Sequence, residues 1–316
     1  MRAPFPERLV LSRHAIDRDH LGRAAGIPAL LAEPGAVVLA LHDGLALAET
    51  AHGPLALLDP AGADGIELVL YLGRLAEPRG SSPAGAPVVA AILDDAAAES
   101  LVREPGTEWI DLRRLGHELD PIDAGLFTSA LALANWHRVA GFSPRSGIAT
   151  AVEQSGWVRR EESGTEHFPR TDPAIIVGVL DEEDRILLGS NAMWESRRFS
   201  LLAGFVEPGE SLEAAVVREV HEESGIRVTA PHYLGSQPWP FPASLMLGFT
   251  ARVAPGTTTE PTPDGEEILD LRWFSREELR AAVAADDVIL PGPTSIARAI
   301  IEEWYGGDPD AGAPSR

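Results

Sequence analysis

The chain has 316 residues, enough for two or three domains that each bury a core. Hydrophobic residues make up 45% of it and charged residues 23%, which predicts a folded globular protein and excludes a disordered or collagen-like chain. The formal net charge of −22 argues against broad binding to nucleic acids or anionic membranes. No apolar run reaches the roughly 18 residues of a membrane-spanning helix, and charges interrupt the first residues. We therefore expect a cytoplasmic protein without a membrane partner.

The sequence contains no cysteine. This excludes disulfides, thiol nucleophiles and every zinc or iron–sulfur site built on cysteine. Given the acidic net charge, a phosphate-containing substrate would need divalent cations bound locally, because these outweigh the background charge at short range.

The first part of the chain predicts an α+β domain at residues 1–141. Leu126, Ala130 and Leu133 recur at helical spacing and predict a helix over residues 121–140. Short apolar runs separated by Gly, Pro and Asp predict three strands, at residues 36–41, 66–72 and 87–93.

Residues 142–170 are polar and have no sustained period, so they predict either a small connecting module or a long loop. A second helix-and-sheet domain is predicted at 171–305, followed by a flexible tail at 306–316. Its expected strands cover residues 173–180, 186–189 and 269–274, and its expected terminal helices cover 276–285 and 295–304.

Residues 204–226, GFVEPGESLEAAVVREVHEESGI, form a segment that we call the box. Ser211 is a good helix N-cap, and Gly225 supplies a left-handed stop. Val216 and Val220 lie four residues apart and predict a helix face that packs on a core. The sequence therefore predicts one amphipathic helix inside the box.

The other face of this helix carries carboxylates. Glu219, Glu222 and Glu223 fall at i, i+3 and i+4, so they cluster on one side. Such carboxylates repel one another unless cations bind between them, and hard oxygen ligands suit Mg²⁺ or Mn²⁺. Three clustered glutamates on their own more often form a merely solvated helix face. We expect Arg218 to anchor the preceding loop by pairing with Glu210.

With Gly204, Glu210 and REVHEESGI at residues 218–226, the box matches the Nudix hydrolase signature at every defined position, and the chain resembles that family. The resemblance implies a Nudix α/β/α sandwich domain at the C-terminal end. It also implies a loop–helix–loop segment that holds divalent ions, which activate water against a diphosphate linked to a nucleoside.

A second motif, SQPWPFPAS at residues 236–244, predicts a stiff loop, because its three prolines restrict the backbone. The loop presents Trp239 and Phe241, while Ser236 and Gln237 can hydrogen-bond, a combination suited to gripping a flat heterocycle. On its own the motif equally fits a proline-rich turn with two core aromatics. Downstream of a Nudix box it resembles the signature of NADH pyrophosphatases, which cleave NAD(H) to NMN(H) and AMP; some members also remove NAD caps from RNA.

This resemblance covers most of the chain and implies roles for individual residues. Glu219, Glu223 and Glu267 would be metal ligands, and Arg218 and Glu222 would assist catalysis. Phe205 would stack on the nicotinamide, opposite Phe168 of the partner subunit in a homodimer. The remaining implied substrate-binding residues are Arg113, Ser236, Gln237, Pro238, Trp239, Pro240, Phe241, Pro242, Ala243, Ser244 and Ala297.

The linker departs from the family pattern, which commonly has a four-cysteine zinc ribbon between the two domains. Ser143 and Ser146 stand where the first cysteine pair is expected, and the second pair falls near Arg160 and Ser163. None of these side chains replaces a thiolate as a zinc ligand. We therefore expect a zinc-ribbon-like linker without structural zinc.

Such a linker must be held by packing and hydrogen bonds, and we expect Phe142 and Trp157 to anchor it. His137 and His167 are scattered and lack partner ligands in the sequence, so they are interpreted as ordinary polar residues.

The sequence thus predicts a metal-dependent NAD(H) diphosphatase in which roughly two or three Mg²⁺ or Mn²⁺ ions activate water. The choice of general base among the glutamates stays open. The alternatives are hydrolysis of ADP-ribose or a dinucleoside polyphosphate, against which the loop motif argues, and a non-catalytic nucleotide-binding module. NAD-capped RNA is a further candidate substrate, although the sequence has no basic arm to bind RNA. Four arginines could contact an RNA 5′ end or could equally face solvent: Arg145, Arg159, Arg160 and Arg170.

Overall fold

The computed structural model describes residues 3–13, 15–60, 65–102, 106–195 and 197–311. It forms two compact units. The N-terminal unit comprises Val10–Thr171 and Pro238–Ser244; the C-terminal unit comprises the residues up to Leu9, Asp172–Gln237 and the chain from Leu245 onward. Within the described ranges, no helix is both long enough and apolar enough to cross a membrane. Helix α1 (Phe5–Arg8) belongs to the C-terminal unit.

A seven-stranded sheet forms the N-terminal unit. Its strands are β1 (Ile16–Asp17), β2 (Val37–His42), β3 (Leu45–Ala48), β4 (Leu57–Leu58), β5 (Ile66–Leu75), β6 (Pro87–Leu93) and β7 (Glu108–Ile110). They lie in the order β1-β5-β6-β2-β3-β7, with β4 beside β2. The β2–β6 pair is parallel. All three strands predicted in this region are confirmed.

The helices of this unit are α2 (Ile27–Leu31), α3 (Asp95–Val102), α4 (Leu112–Leu115) and α5 (Pro121–Val139). Helix α5 begins after Asp120, whose side chain accepts hydrogen bonds from the backbone N–H groups of Ile122 and Asp123. Its apolar face, with Leu126 and Leu133, packs into the main core of the unit. The predicted helix and the α+β class are confirmed.

Residues 142–170 contain a small antiparallel sheet rather than a long loop. Its strands are β8 (Thr150–Glu153), β9 (Val158–Glu161) and β10 (Glu166–His167), in the order β10-β9-β8. Strands of two to four residues are too short for a detectable alternation. Of the two alternatives predicted here, the small module is therefore correct.

The C-terminal unit has a six-stranded sheet between helices. Strand β11 contributes Ile175 and Val177 to the core beneath the box helix, and Ile176 to the core on the opposite face. This alternation confirms the predicted α/β/α sandwich. The elements are β11 (Asp172–Leu180), β12 (Ile186–Asn191), β13 (Leu202–Phe205), α6 (Leu212–Ser224), β14 (Val228–Trp239), β15 (Ser244–Val253), β16 (Ile268–Phe274), α7 (Arg276–Ala284) and α8 (Ile296–Tyr305).

The chain beyond α8 is tied to that helix as far as it is described. Buried Arg298 forms ion pairs with Asp308 and Asp310. Residues 312–316 of the expected flexible tail lie outside the described residues.

Candidate active site

Helix α6 is built as its sequence predicts. The Ser211 hydroxyl accepts a hydrogen bond from the Ala214 N–H at 3.2 Å, and Gly225 ends the helix at φ 69°. Val216 and Val220 are fully buried beneath the helix. One face is thereby fixed to the core, and the face that carries the glutamates is turned away from it.

Arg218 fastens the loop between β13 and α6. Its guanidinium donates to Glu210 Oε1 at 2.9 Å and to the Phe205 carbonyl at 2.9 Å, so the predicted pair with Glu210 is present. It also lies 2.9 Å from both Glu219 Oε1 and Glu222 Oε2. Hydrogen bonds from Glu210 and the other carboxylates raise the pKa of Arg218, so this anchor stays charged.

Gly204 leaves space for the Glu219 side chain beside strand β13. A Cβ atom at residue 204 would lie 2.0 Å from the Glu219 carboxylate, closer than any real contact. The carboxylate therefore lies directly against the β13 backbone, and a side chain at residue 204 would displace it from this position. Burial raises the pKa of Glu219, and the hydrogen bond from Arg218 opposes that rise.

Glu223 is the most unusual group of the site. It is only 5% exposed, and its Oε2 atom has no hydrogen-bond partner among the described residues. Burial, followed by the charges of Glu267 and Glu219, raises the pKa of Glu223 to about 8, although the Ala203 N–H donates a hydrogen bond to it. An orphaned carboxylate oxygen in such a place is costly unless a cation binds to it.

Glu267 reaches this group from a turn before β16. The Asp264 side chain accepts hydrogen bonds from the backbone N–H groups of Glu266, Glu267 and Ile268, which fixes the turn. Asn191 donates to Glu267 Oε1 at 3.3 Å. The structure thus brings together Glu219, Glu223 and Glu267, close enough for the charge of Glu267 to help raise the pKa of both Glu219 and Glu223.

The donor set fits a hard divalent cation. It consists of carboxylate oxygens, one of them orphaned, and a Mg²⁺-type ion is commonly held by one or two carboxylates while water and substrate phosphates complete its shell. Across the described ranges, no three acidic or histidine side chains form a ready-made coordination shell.

The predicted substrate-binding residues of the C-terminal unit differ in accessibility. The Phe205 ring is 59% exposed at the end of β13, while Ser236 is half-buried in β14. Gln237 is buried and donates through Nε2 to the Thr294 carbonyl at 3.0 Å, just before α8. Ala297, in the first turn of α8, is buried as well. Only Phe205 among them presents a large free surface.

The remaining loop residues, Pro238–Ser244, belong to the N-terminal unit. Trp239 and Phe241 form an edge-to-face pair with ring centroids 4.9 Å apart, and both pack on the main core of that unit. The Arg113 guanidinium lies 4.5 Å from the Phe241 centroid and 5.5 Å from that of Trp239. Arg113 therefore supports the two aromatic rings from one side.

Phe168 lines a cavity of about 760 Å³ in the N-terminal unit. Its ring is 62% exposed, and Phe142 and Val139 on the same cavity are more exposed still. Pro242 and Ala243 of the loop lie on the cavity wall. Phe142, predicted to anchor the linker, is therefore wrongly assigned, whereas Trp157 does anchor it by donating from Nε1 to the Tyr71 carbonyl at 2.7 Å.

A buried carboxylate organises the linker. Glu161 accepts hydrogen bonds from Ser146 at 3.0 Å, from Ser163 at 3.3 Å and from His167 Nε2 at 2.9 Å. A hydrogen bond from Ser143 is the largest of the effects that lower the pKa of Glu161, which falls to about 2. The charge of Glu161 is thus fully satisfied by neighbouring donors.

The cluster lies in the segment where the second cysteine pair is expected, near Arg160 and Ser163. Glu161, not Arg160, faces Ser143, Ser146 and Ser163. Arg160 instead forms ion pairs with Glu153 and Glu166 at 2.6 Å each. A register error of one residue turns a strand side chain to the opposite face of the sheet, so an approximate alignment could not identify the inward residue.

Comparison with known proteins matches both units to described families. Residues 169–291 match the NUDIX domain, and residues 35–136 match the NADH pyrophosphatase-like rudimentary NUDIX domain. The NAD-capped RNA hydrolase NudC of Mycobacterium bovis is 50% identical over 206 residues, which cover 62% of this chain and 65% of that protein. The chain thus spans slightly less than two thirds of the length of this mycobacterial relative.

Two further relatives carry related names. The NAD-capped RNA hydrolase NUDT12 of Macaca fascicularis is 35% identical over 206 residues, covering 61% of this chain and 44% of that protein. The NAD-capped RNA hydrolase NudC of Stutzerimonas stutzeri is 40% identical over 201 residues, covering 63% of this chain and 68% of that protein. With both domains matched in order and this extent of identity, the chain belongs to the NudC family of Nudix hydrolases.

Proposed function

We propose that this protein hydrolyses the diphosphate bond of NAD(H), giving NMN(H) and AMP, and that it also removes NAD caps from RNA 5′ ends. The single observation that carries the proposal is the orphaned Oε2 atom of Glu223. This atom is buried close to Glu219 of the same helix and to Glu267 of the turn before β16. The printed names of the relatives support the choice of substrate. A cytoplasmic location is part of the same proposal.

Nudix hydrolases depend on divalent metal ions, and we propose Mg²⁺ or Mn²⁺ here because every candidate ligand is a hard carboxylate oxygen. Glu219, Glu223 and Glu267 would hold the ions. When bound, such ions neutralise the diphosphate and generate a hydroxide-like nucleophile from water.

The chain's own residues prepare this site. Arg218 holds the β13–α6 loop through Glu210 and the Phe205 carbonyl, which fixes the main chain beside the carboxylates. Gly204 leaves room for Glu219 against the strand. The glutamates are therefore positioned before substrate arrives, and little reorganisation is needed at the moment of reaction.

For the nicotinamide end we propose aromatic stacking on Phe205 and on Phe168 of the partner subunit in a homodimer. Both rings are more than half exposed in the single chain. Val139 and Phe142 are exposed around the cavity beside Phe168, so an unusually apolar surface is open there. A second copy of the chain would cover this surface.

For capped RNA, Arg159, Arg160 and Arg170 of the four arginines considered from the sequence already interact with other residues of the chain. Arg159 donates to Thr150, and Arg160 pairs with Glu153 and Glu166. With a net charge of −22, contact with the RNA chain should be limited to the nucleotides at the cap.

The decisive experiment is a turnover assay with NADH and Mg²⁺ or Mn²⁺, in which chromatography separates NMNH and AMP. The proposal predicts equal amounts of both products and complete loss of turnover with a chelator. Release of nicotinamide, or turnover that continues in excess chelator, would disprove it. NAD-capped and triphosphorylated RNA of the same sequence then test the second substrate, with cleavage expected only for the capped RNA.

A further inference from the structure

The proline-rich loop is held by a side chain that lies 105 residues earlier in the sequence. Asn135 Nδ2 on α5 donates to the Pro240 carbonyl at 2.9 Å. Arg138 Nη2 in turn donates to Asn135 Oδ1 at 3.1 Å. All of these residues belong to the N-terminal unit.

The orientation of the Asn135 amide follows from this network. A guanidinium can only donate, so Arg138 must face the amide oxygen, and the amide nitrogen must then face the Pro240 carbonyl. An aspartate at this position would present a second acceptor to that carbonyl. The contact therefore requires an amide, not merely a polar side chain of the same size.

The loop needs an external donor because its own backbone is poor in donors. Proline has no N–H group, so Pro238, Pro240 and Pro242 cannot donate to a strand partner. Within the loop, the Phe241 N–H donates to the Trp239 carbonyl at 2.7 Å. Asn135 adds a fixed point between the two aromatic residues, while Arg113 supports their rings.

We propose that Asn135 is a positioning residue that fixes Pro240, so that Trp239 and Phe241 form a rigid wall for a flat heterocycle of the substrate. The inference rests on the proposed function. Asn135 itself need not touch the substrate.

The test compares Asn135→Asp with wild type. Loss of one hydrogen bond of this kind predicts a rise of roughly three- to tenfold in KM for NADH with Asn135→Asp. We expect kcat to change less than twofold. ADP-ribose serves as a second substrate because it has the adenine end but lacks nicotinamide. A rise in KM for both substrates indicates that the loop contacts the adenine end, and a rise for NADH alone indicates that it contacts the nicotinamide end.

Unchanged KM values for both substrates would overturn the proposal. So would a uniform loss of kcat accompanied by a lower melting temperature, because that describes a merely structural side chain. The dissociation constants of AMP and NMN, measured by calorimetry without turnover, test the loop separately from the reaction. If wild type fails to cleave NADH but Asn135→Asp weakens binding of either nucleotide, the proposed reaction is wrong and the positioning role stands. If Asn135→Asp binds both nucleotides as tightly as wild type, the positioning role is wrong.

Discussion

Two glutamates of this protein are buried to the same extent and titrate in opposite directions. Glu161 in the linker and Glu223 in the box are each 5% exposed. Hydrogen bonds, from Ser143 first and His167 next, lower the pKa of Glu161 to about 2. Burial, reinforced by Glu267 and Glu219, raises the pKa of Glu223 to about 8.

The difference has two causes: burial raises the pKa of Glu223 and acidic neighbours add to the rise, whereas hydrogen-bond donors lower the pKa of Glu161. Glu161 is surrounded by hydroxyl and imidazole groups, so its charge is compensated inside the protein and the group serves the fold. Glu223 has acidic neighbours and an orphaned oxygen, so its charge is compensated only by something that binds. The cluster around Glu161 therefore needs no ligand to balance its charge, whereas the cluster around Glu223 is suited to binding a cation.

The largest expected effect comes from removing the uncompensated charge. Glu223→Gln should lower kcat/KM for NADH by roughly 100-fold or more, as losses of electrostatic transition-state stabilisation do, and Glu219→Gln should act similarly. The metal-free Glu223→Gln protein should be about as stable as wild type at pH 7, because the raised pKa of about 8 keeps the Glu223 carboxyl largely protonated and glutamine is neutral and of similar size. Steady-state kinetics and thermal melting measure the two quantities.

The matched control is Glu213→Gln, which changes an exposed glutamate in the first turn of the same helix. It should retain wild-type turnover. If Glu223→Gln also retains near-normal turnover while folded, the assignment of Glu223 as a metal ligand is wrong.

The next largest effect tests whether Phe168 of the linker contacts the nicotinamide of the substrate. Phe168 directly follows His167, which donates to Glu161, and its ring is exposed. Stacking contributes roughly 0.5–1.5 kcal/mol per aromatic pair, so Phe168→Ala should reduce NADH turnover by about tenfold. The effect on ADP-ribose, which lacks nicotinamide, should be smaller.

Tyr233→Ala is the control for this variant, since it removes another exposed ring that does not line this cavity. Equal losses with NADH and ADP-ribose in Phe168→Ala would count against stacking. Light scattering that shows an active monomer would reject the shared site altogether.

Local patterns made the box predictable from sequence, whereas long-range contacts were not predictable. Ser211, Gly225 and the buried valines act within one helix, so their spacing carries the information. The Asn135–Pro240 contact joins residues 105 positions apart and leaves no periodic trace. Strands β14 and β15 were missed, because the irregular burial pattern of β14 lacks a clear alternation.

The smallest effect concerns the compensated charge, and it is a change in stability. Glu161→Gln should lower the melting temperature by several degrees at pH 7 and speed hydrogen exchange in β8–β10, while NADH turnover changes little. An unfolded glutamate has a pKa of about 4.3, and the folded pKa of Glu161 is about 2. The stabilisation is therefore complete above the unfolded pKa and is lost as the pH falls toward the folded pKa.

The difference in melting temperature between wild type and Glu161→Gln should accordingly be constant from pH 7 to about 5 and shrink below about 4.3. Glu162→Gln changes the exposed neighbouring glutamate and should show no difference at any pH. A chelator should leave these melting temperatures unchanged, and elemental analysis should find no stoichiometric zinc, because the protein's own serines and histidine supply the contacts that hold the linker. The proposed structural role of Glu161 would be wrong if a chelator unfolded the linker, or if the Glu161→Gln protein were as stable as wild type at pH 7. The contrast between Glu161 and Glu223 would then fail.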